Sequence, residues 1–188
     1  MVQSGTTDDE IIKGCLAGKR HFQTLLYQKY ARSLFAVCLR YSRNTAEAED
    51  LLQDVFLKVF SSLKDYRGEG PLEAWLTRIV INLALSRYRK EKQYITTEMV
   101  ELPDTAEEDP TDEFLTFLSK DNCQHILRLI QELPSGYRQV FNLYVFEAYS
   151  HRDIANLLGI TESTSRTQLH KAKLMLKEKI KRLIKPNK

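Results

Sequence analysis

Apolar residues recur at helical spacing along most of this chain. From Arg20 to about Arg40, Phe22, Leu25, Leu26, Tyr30, Leu34, Val37 and Cys38 fall on one face, which predicts a long core-facing helix. A second stripe runs through Leu51, Leu52, Val55, Phe56, Val59, Phe60 and Leu63, with Asn44 or Thr45 suited to cap it. A third begins after Pro71, a residue at home in a helix's first turn, and carries Leu72, Trp75, Leu76, Ile79, Val80 and Leu83. Ahead of all three, Thr7 can cap a short helix that ends at Gly18, with Asp8, Asp9 and Glu10 at its positive end. From about Gln93 the pattern lapses, and ELPDTAEEDPTDE (101–113) reads as a linker. Periodicity resumes near residues 112–121 with Phe114, Leu115, Leu118, Ile126, Leu127, Leu129 and Ile130, and stops at Leu133-Pro134. Ser135 can start a helix that buries Val140, Phe141, Leu143, Tyr144, Val145 and Phe146, and Glu147-Ala148-Tyr149 turns the chain. The fold predicted is all-α: two small helical domains, 1–92 and 121–188, joined by a flexible acidic linker, 93–120.

The last stretch, Ser150 to Lys181, has its own logic. Ile154, Ala155, Leu157 and Leu158 line a short helix, and Gly159 suits the left-handed residue at which helices stop. Thr161 can cap a second helix that opens with exposed hydroxyls and an amide (Ser163, Thr164, Ser165, Thr167 and Gln168) and then turns basic. A short supporting helix, a Gly turn and a polar-then-basic helix describe a helix-turn-helix, whose second helix reads the DNA major groove. A helical hairpin with a merely solvated basic face is the competing reading.

Charge distribution sharpens this. Net charge is +3, but residues 1–92 hold 15 Lys and Arg against 11 Asp and Glu, 93–120 hold 1 against 8, and 121–188 hold 12 against 6. Two basic blocks that favour polyanions flank an acidic connector that repels them. The polar side of the 46–63 helix (Glu47, Glu49, Asp50, Gln53, Asp54, Lys58) is either an ordinary wet face or a docking site for a basic protein. Lys64 to Gly70 is a loop with two glycines, leading into a helix that bears Arg78, Asn82, Arg87, Arg89 and Lys90. Tyr66 and Arg67 beside those cations could stack and neutralise single-stranded nucleic acid, or form a plain surface loop.

Composition excludes other classes. Three scattered cysteines make no disulfide framework, and Cys123 with His125 lacks the second ligand pair a zinc site needs. With no apolar run of about 18 residues and no signal core, the expected compartment is the reduced cytosol. The four dispersed histidines, and the absence of a phosphate-binding Gly loop or a nucleophile–base grouping, give no catalytic site, metal or cofactor to assign.

The motifs together are similar to those of extracytoplasmic-function (ECF) sigma factors of bacterial RNA polymerase. Ala48 to Phe60 (AEDLLQDVFLKVF) resembles the polymerase-binding segment. Leu72-Glu73-Ala74-Trp75-Leu76 through Asn82 and Arg87-Tyr88-Arg89-Lys90 resembles the helix that engages the −10 element. Leu133-Pro134, Tyr137 to Phe141, Tyr149-Ser150, Asp153 to Ala155, Leu158 to Ile160 and Leu169 to Lys173 resemble sigma domain 4.

The resemblance implies that Asp50, Gln53 and Asp54 dock on the β′ clamp helices, and that domain 4 binds the β flap. It implies −10 contacts from Lys64, Tyr66, Arg67, Gly68, Arg78, Asn82, Arg87, Arg89 and Lys90, with the loop accepting a flipped base. It implies −35 contacts from Ser163, Thr164, Arg166, Gln168, Lys171 and Lys173, an acidic linker lying along the polymerase's nucleic-acid path, and, by family habit, an anti-sigma partner. Ile81, Ser86 and Ser163 to Thr167 depart from common family residues, so promoter sequence should be particular to this chain. A free-standing helix-turn-helix regulator and an anti-sigma-type adaptor are the competing functions.

Overall fold

The computed structural model describes residues 6–94 and 123–184. Eight α-helices succeed one another among them: α1 (Asp8–Leu16), α2 (Arg20–Tyr41), α3 (Thr45–Ser62), α4 (Leu72–Tyr94), α5 (Cys123–Gln131), α6 (Ser135–Val145), α7 (His151–Leu158) and α8 (Glu162–Ile184). The described residues contain no strand. Two compact units divide the chain, Met1–Ala84 and Leu85–Lys188, and the division falls within the continuous helix α4. The acidic linker, and the helix start expected near residues 112–121, lie outside the described residues.

In the first unit α1 is fastened before it packs. The Thr7 hydroxyl accepts from the Glu10 N–H, and the Glu10 carboxylate accepts from the Thr7 N–H, a capping box that satisfies two orphan donors. Asp8 then ties α1 to α2, accepting from Lys29 Nζ and from the Tyr30 hydroxyl at 2.7 Å each. Burial alone would raise the Asp8 carboxyl; those two hydrogen bonds and the Lys29 charge outweigh it and hold the group below its usual range. Gly14 lets α1 close on α2, because a Cβ there would sit 2.1 Å from the Phe22 ring.

The seam between α2 and α3 is made by Leu26, Leu34, Cys38, Leu51, Val55 and Val59, all at most 2% exposed. Phe22, Leu25, Val37, Leu52 and Phe60, expected in the core, flank that seam and are half-buried. Buried Leu63 draws the chain into a 3-10 turn (Leu63–Asp65), so Lys64 and Asp65 extend the helical segment rather than open the loop. Gly68 (φ 75°) and Gly70 (φ 97°) take the left-handed conformations that let the loop turn toward α4.

In the second unit α8 packs on α6, α7 and α5 through Leu169, Ala172 and Leu176, against Val140, Phe141, Leu143, Ile154 and Leu158. Arg138 is 3% exposed, and its guanidinium donates to the carbonyls of Gln131 (2.8 Å) and Leu133 (3.0 Å). These carbonyls close α5, where no intrahelical donor reaches them. Arg138, on α6, therefore caps its neighbour.

Candidate nucleic-acid and polymerase interfaces

The helix-turn-helix is built from its caps. Ser150 accepts from the Asp153 N–H at 3.2 Å and donates to the Asp153 carboxylate at 2.6 Å, which starts α7. Gly159 (φ 63°, ψ 46°) ends α7 in the left-handed conformation, and the Ile160 N–H closes on the Ala155 carbonyl. The Thr161 hydroxyl accepts from the Thr164 N–H at 3.0 Å and starts α8. Gly159 and the two caps stand where the sequence put them.

The register of α8 decides which side chains face out. Ser165, Gln168, Leu169, Ala172, Lys173, Leu176 and Ile180 form its buried side. At roughly 100° per residue, the opposite strip runs through Ser163, Thr167, His170 and Leu174, flanked by Arg166 and Lys171. Ser163 and Arg166 are exposed, and Lys171, Thr167 and His170 are partly so. Thr164 is half-buried, its hydroxyl 2.7 Å from that of Thr161.

Two expected DNA-facing residues are corrected by this register. Gln168 is 7% exposed, and its amide lies against the position a Gly136 Cβ would take. Lys173 is 9% exposed, with its ammonium 5.9 Å from the centre of the Tyr144 ring. Neither offers a free tip in this structure, because each falls on the side of α8 that packs on α6. Thr167 and His170, which are not in the expected −35 set, lie on the far face, as counting from the apolar positions Leu169, Ala172 and Leu176 places them.

At the −10 candidates, Lys64, Arg67 and Gly68 are exposed, as are Arg78, Asn82, Arg87, Arg89 and Lys90 on α4. Helical spacing lines up Arg78, Asn82 and Arg89 on one strip, while Arg87 and Lys90 leave α4 on other sides. Tyr66 is held rather than free: its hydroxyl donates to the Gly70 carbonyl at 2.7 Å, and its ring lies 5.5 Å from that of half-buried Trp75. The loop is thus folded around an aromatic pair, with Arg67 and Gly68 at its outer edge.

On α3 the expected polymerase residues Asp50, Gln53 and Asp54 are exposed at positions i, i+3 and i+4. Leu57, one turn further on, is 70% exposed and continues the same face. An apolar side chain there breaks the polar pattern and is the second feature that sequence reading passed over. Tyr27, 48% exposed, packs its ring 4.6 Å from that of Phe56. Among the described residues no helix is long and apolar enough to span a membrane, and no three His, Cys, Asp or Glu are placed to hold a metal.

Two family models match the chain. Sigma-70 region 2 matches residues 26–94, which hold α3, the loop and α4, and Sigma-70 region 4 matches residues 123–176, which hold the helix-turn-helix. The chain belongs to the sigma-70 family, as an extracytoplasmic-function sigma factor. Similar proteins agree. ECF sigma factor SigM of Mycobacterium tuberculosis is 27% identical over 90% of this chain and 83% of its own. Sigma factor YlaC of Bacillus subtilis is 29% identical over 81% and 88%, and the ECF sigma-E factor of Escherichia coli 25% over 95% and 96%. Among solved structures, RpoE of Bartonella quintana in complex with the anti-sigma factor NepR matches at 22% identity and TM-score 0.49, over 83% of this chain and 96% of that one. CnrH in complex with the cytosolic domain of CnrY matches at 17% and 0.46, over 93% and 97%.

This sigma factor binds core RNA polymerase, recognises −35 and −10 promoter elements and directs transcription initiation. The presence of region 2 beside region 4 distinguishes it from a free-standing helix-turn-helix regulator. Its family is one of transcription initiation factors rather than known enzymes.

Proposed function

We propose a residue-level division of this work. Residues 1–92 form the domain that binds polymerase and the −10 element, 93–120 the acidic connector, and 121–188 the domain that binds the −35 element. On α3, Asp50, Gln53, Asp54 and Leu57 dock on the β′ clamp helices, and the second domain docks on the β flap. The loop at Arg67 and Gly68, with Arg78, Asn82 and Arg89 on one strip of α4, holds the opened −10 strand; Lys64, Arg87 and Lys90 add charge. On α8, Ser163, Arg166, Thr167 and His170 face the −35 major groove, with Thr164 near its entry and Lys171 near phosphate. The protein does no bond chemistry of its own, acts in the cytoplasm where the polymerase is, and is held in check by an anti-sigma factor.

The observation that carries the −35 assignment is the exposed strip of α8 in a helix-turn-helix whose two helices are each capped at the start, with the Arg166 side chain 62% exposed and lightly held by Glu162. An arginine released from such a surface pair can contact guanine bidentately, worth roughly 1–3 kcal/mol of discrimination. Transcription by reconstituted holoenzyme on a matched promoter and a −35 variant tests it. Arg166→Ala should lower activity on the matched promoter about tenfold and narrow the gap between the two. Unchanged activity on both removes Arg166 from the recognition set.

A further inference from the structure

Three helices of the DNA-binding unit meet at one side chain. His151 is the first residue of α7 after its cap, Ser150. Its Nδ1 lies 2.9 Å from the Ser165 hydroxyl on α8, and its ring stacks on Tyr144 of α6 with centroids 4.7 Å apart and planes at 23°. Ser165 is 0% exposed, so its hydroxyl points wholly into the domain. Lys173 of α8 approaches the same Tyr144 ring.

Ser165 also sits between the half-buried Thr164 and the exposed Arg166. In a rigid helix, the direction of one side chain sets the direction of all others. Leu169, Ala172 and Leu176 set the rotation of α8 from its third turn on, and a bond that holds Ser165 inward pins the first two turns to the same rotation, and with it the angle at which Ser163, Arg166 and Thr167 point outward. The capping bonds at Thr161 set where α8 begins but leave this rotation open. The His151 ring is itself aimed from two sides, by the α7 start that carries it and by the Tyr144 face beneath it.

We propose that His151 is a positioning residue for −35 recognition, acting through Ser165 on the rotation of α8. The proposal rests on the reading of α8 as the −35 helix. His151 touches no DNA in this scheme; it makes the outward face repeatable from one molecule to the next. Base-edge hydrogen bonds are directional, so a helix free to roll loses discrimination before it loses contact. Phosphate contacts tolerate such a roll, so overall affinity is less affected than selectivity.

Asparagine and phenylalanine separate the two properties of the ring. Asparagine places a hydrogen-bonding atom where Nδ1 stands and gives up the stack. Phenylalanine keeps the stack and gives up the bond. The full-length protein, reconstituted with core polymerase, is assayed on a matched promoter and on one with a single −35 base-pair change. Wild-type protein must first prefer the matched promoter; if it does not, the reading of α8 fails rather than the role of His151. Given that preference, His151→Phe should reduce the selectivity ratio about threefold to tenfold, the worth of one hydrogen bond. His151→Asn should keep the ratio within about twofold of wild type, and Ser165→Ala should lose it as His151→Phe does. Melting temperature and core-polymerase binding are measured on every variant. A His151→Phe protein with the wild-type ratio overturns the proposal. So does a loss of ratio that follows melting temperature across all three variants without rescue by asparagine.

Discussion

Arg138 shows how one side chain can be structural where its chemistry suggests a ligand. In a basic domain an arginine invites a phosphate, yet this guanidinium is buried and spent on the carbonyls of Gln131 and Leu133. It does for α5 what a C-terminal glycine would otherwise do, and fixes the Leu133-Pro134 turn into α6. Lysine does not reproduce this, because both bonds leave Nη1, one bond beyond the point that a lysine Nζ reaches. Arg138→Lys should destabilise the protein by about 1–3 kcal/mol, from carbonyls left without a donor and an ammonium that is costly to bury. Denaturant unfolding gives the size of the effect, and a midpoint equal to wild type would mean that the α5 end is satisfied by other donors.

Helix boundaries were legible wherever a cap residue stood at a break in the apolar pattern. Thr7, Asn44, Ser150 and Thr161 each accept the backbone N–H expected of them, and Gly159 takes the expected left-handed turn. Side-chain facing within a helix was harder to read. The family resemblance implies DNA contacts for Gln168 and Lys173, polar residues in a polar helix. Only the apolar positions beside them reveal that α8 turns that side inward. The turn from α6 to α7 held a further surprise, since Ala148 adopts φ 56°, a region where a Cβ meets the backbone. Glycine fits that conformation without strain, and Ala148 is exposed, so no packing is lost. Ala148→Gly should leave stability unchanged or raise it by up to about 1 kcal/mol, where a mid-helix Ala→Gly would lower it by a similar amount. A thermal melt distinguishes the two signs, and a clear loss of stability would show that the alanine side chain is needed in the turn.

At the scale of the whole chain, two domains with different contacts serve one outcome, so defects should separate cleanly. The order of motifs was legible because each domain repeats its family's apolar frame. The apolar tip on the docking face was not, because Leu57 stands outside both the apolar stripe and the set of polar residues that mark the two faces of α3. Its 70% exposure makes it a sensitive probe. A side chain already in water adds little to the fold, so Leu57→Ser should leave the melting temperature near that of wild type. If Leu57 is covered when α3 meets polymerase, the same change removes apolar area worth roughly 1–2 kcal/mol, or about a tenfold loss of affinity. Asp54→Lys, which reverses charge on the same face, should weaken core binding by at least about tenfold and more steeply at low salt. Arg166→Ala, on the other domain, should bind core polymerase normally and fail only in promoter choice. Pull-down of core polymerase by the three tagged variants, followed by transcription at a fixed concentration of assembled holoenzyme, reads both properties. Normal core binding by both Leu57→Ser and Asp54→Lys would move the docking surface off α3. Weak binding by Arg166→Ala would mean that the −35 helix also holds the enzyme, and the separation of contacts between the two domains would fail with it.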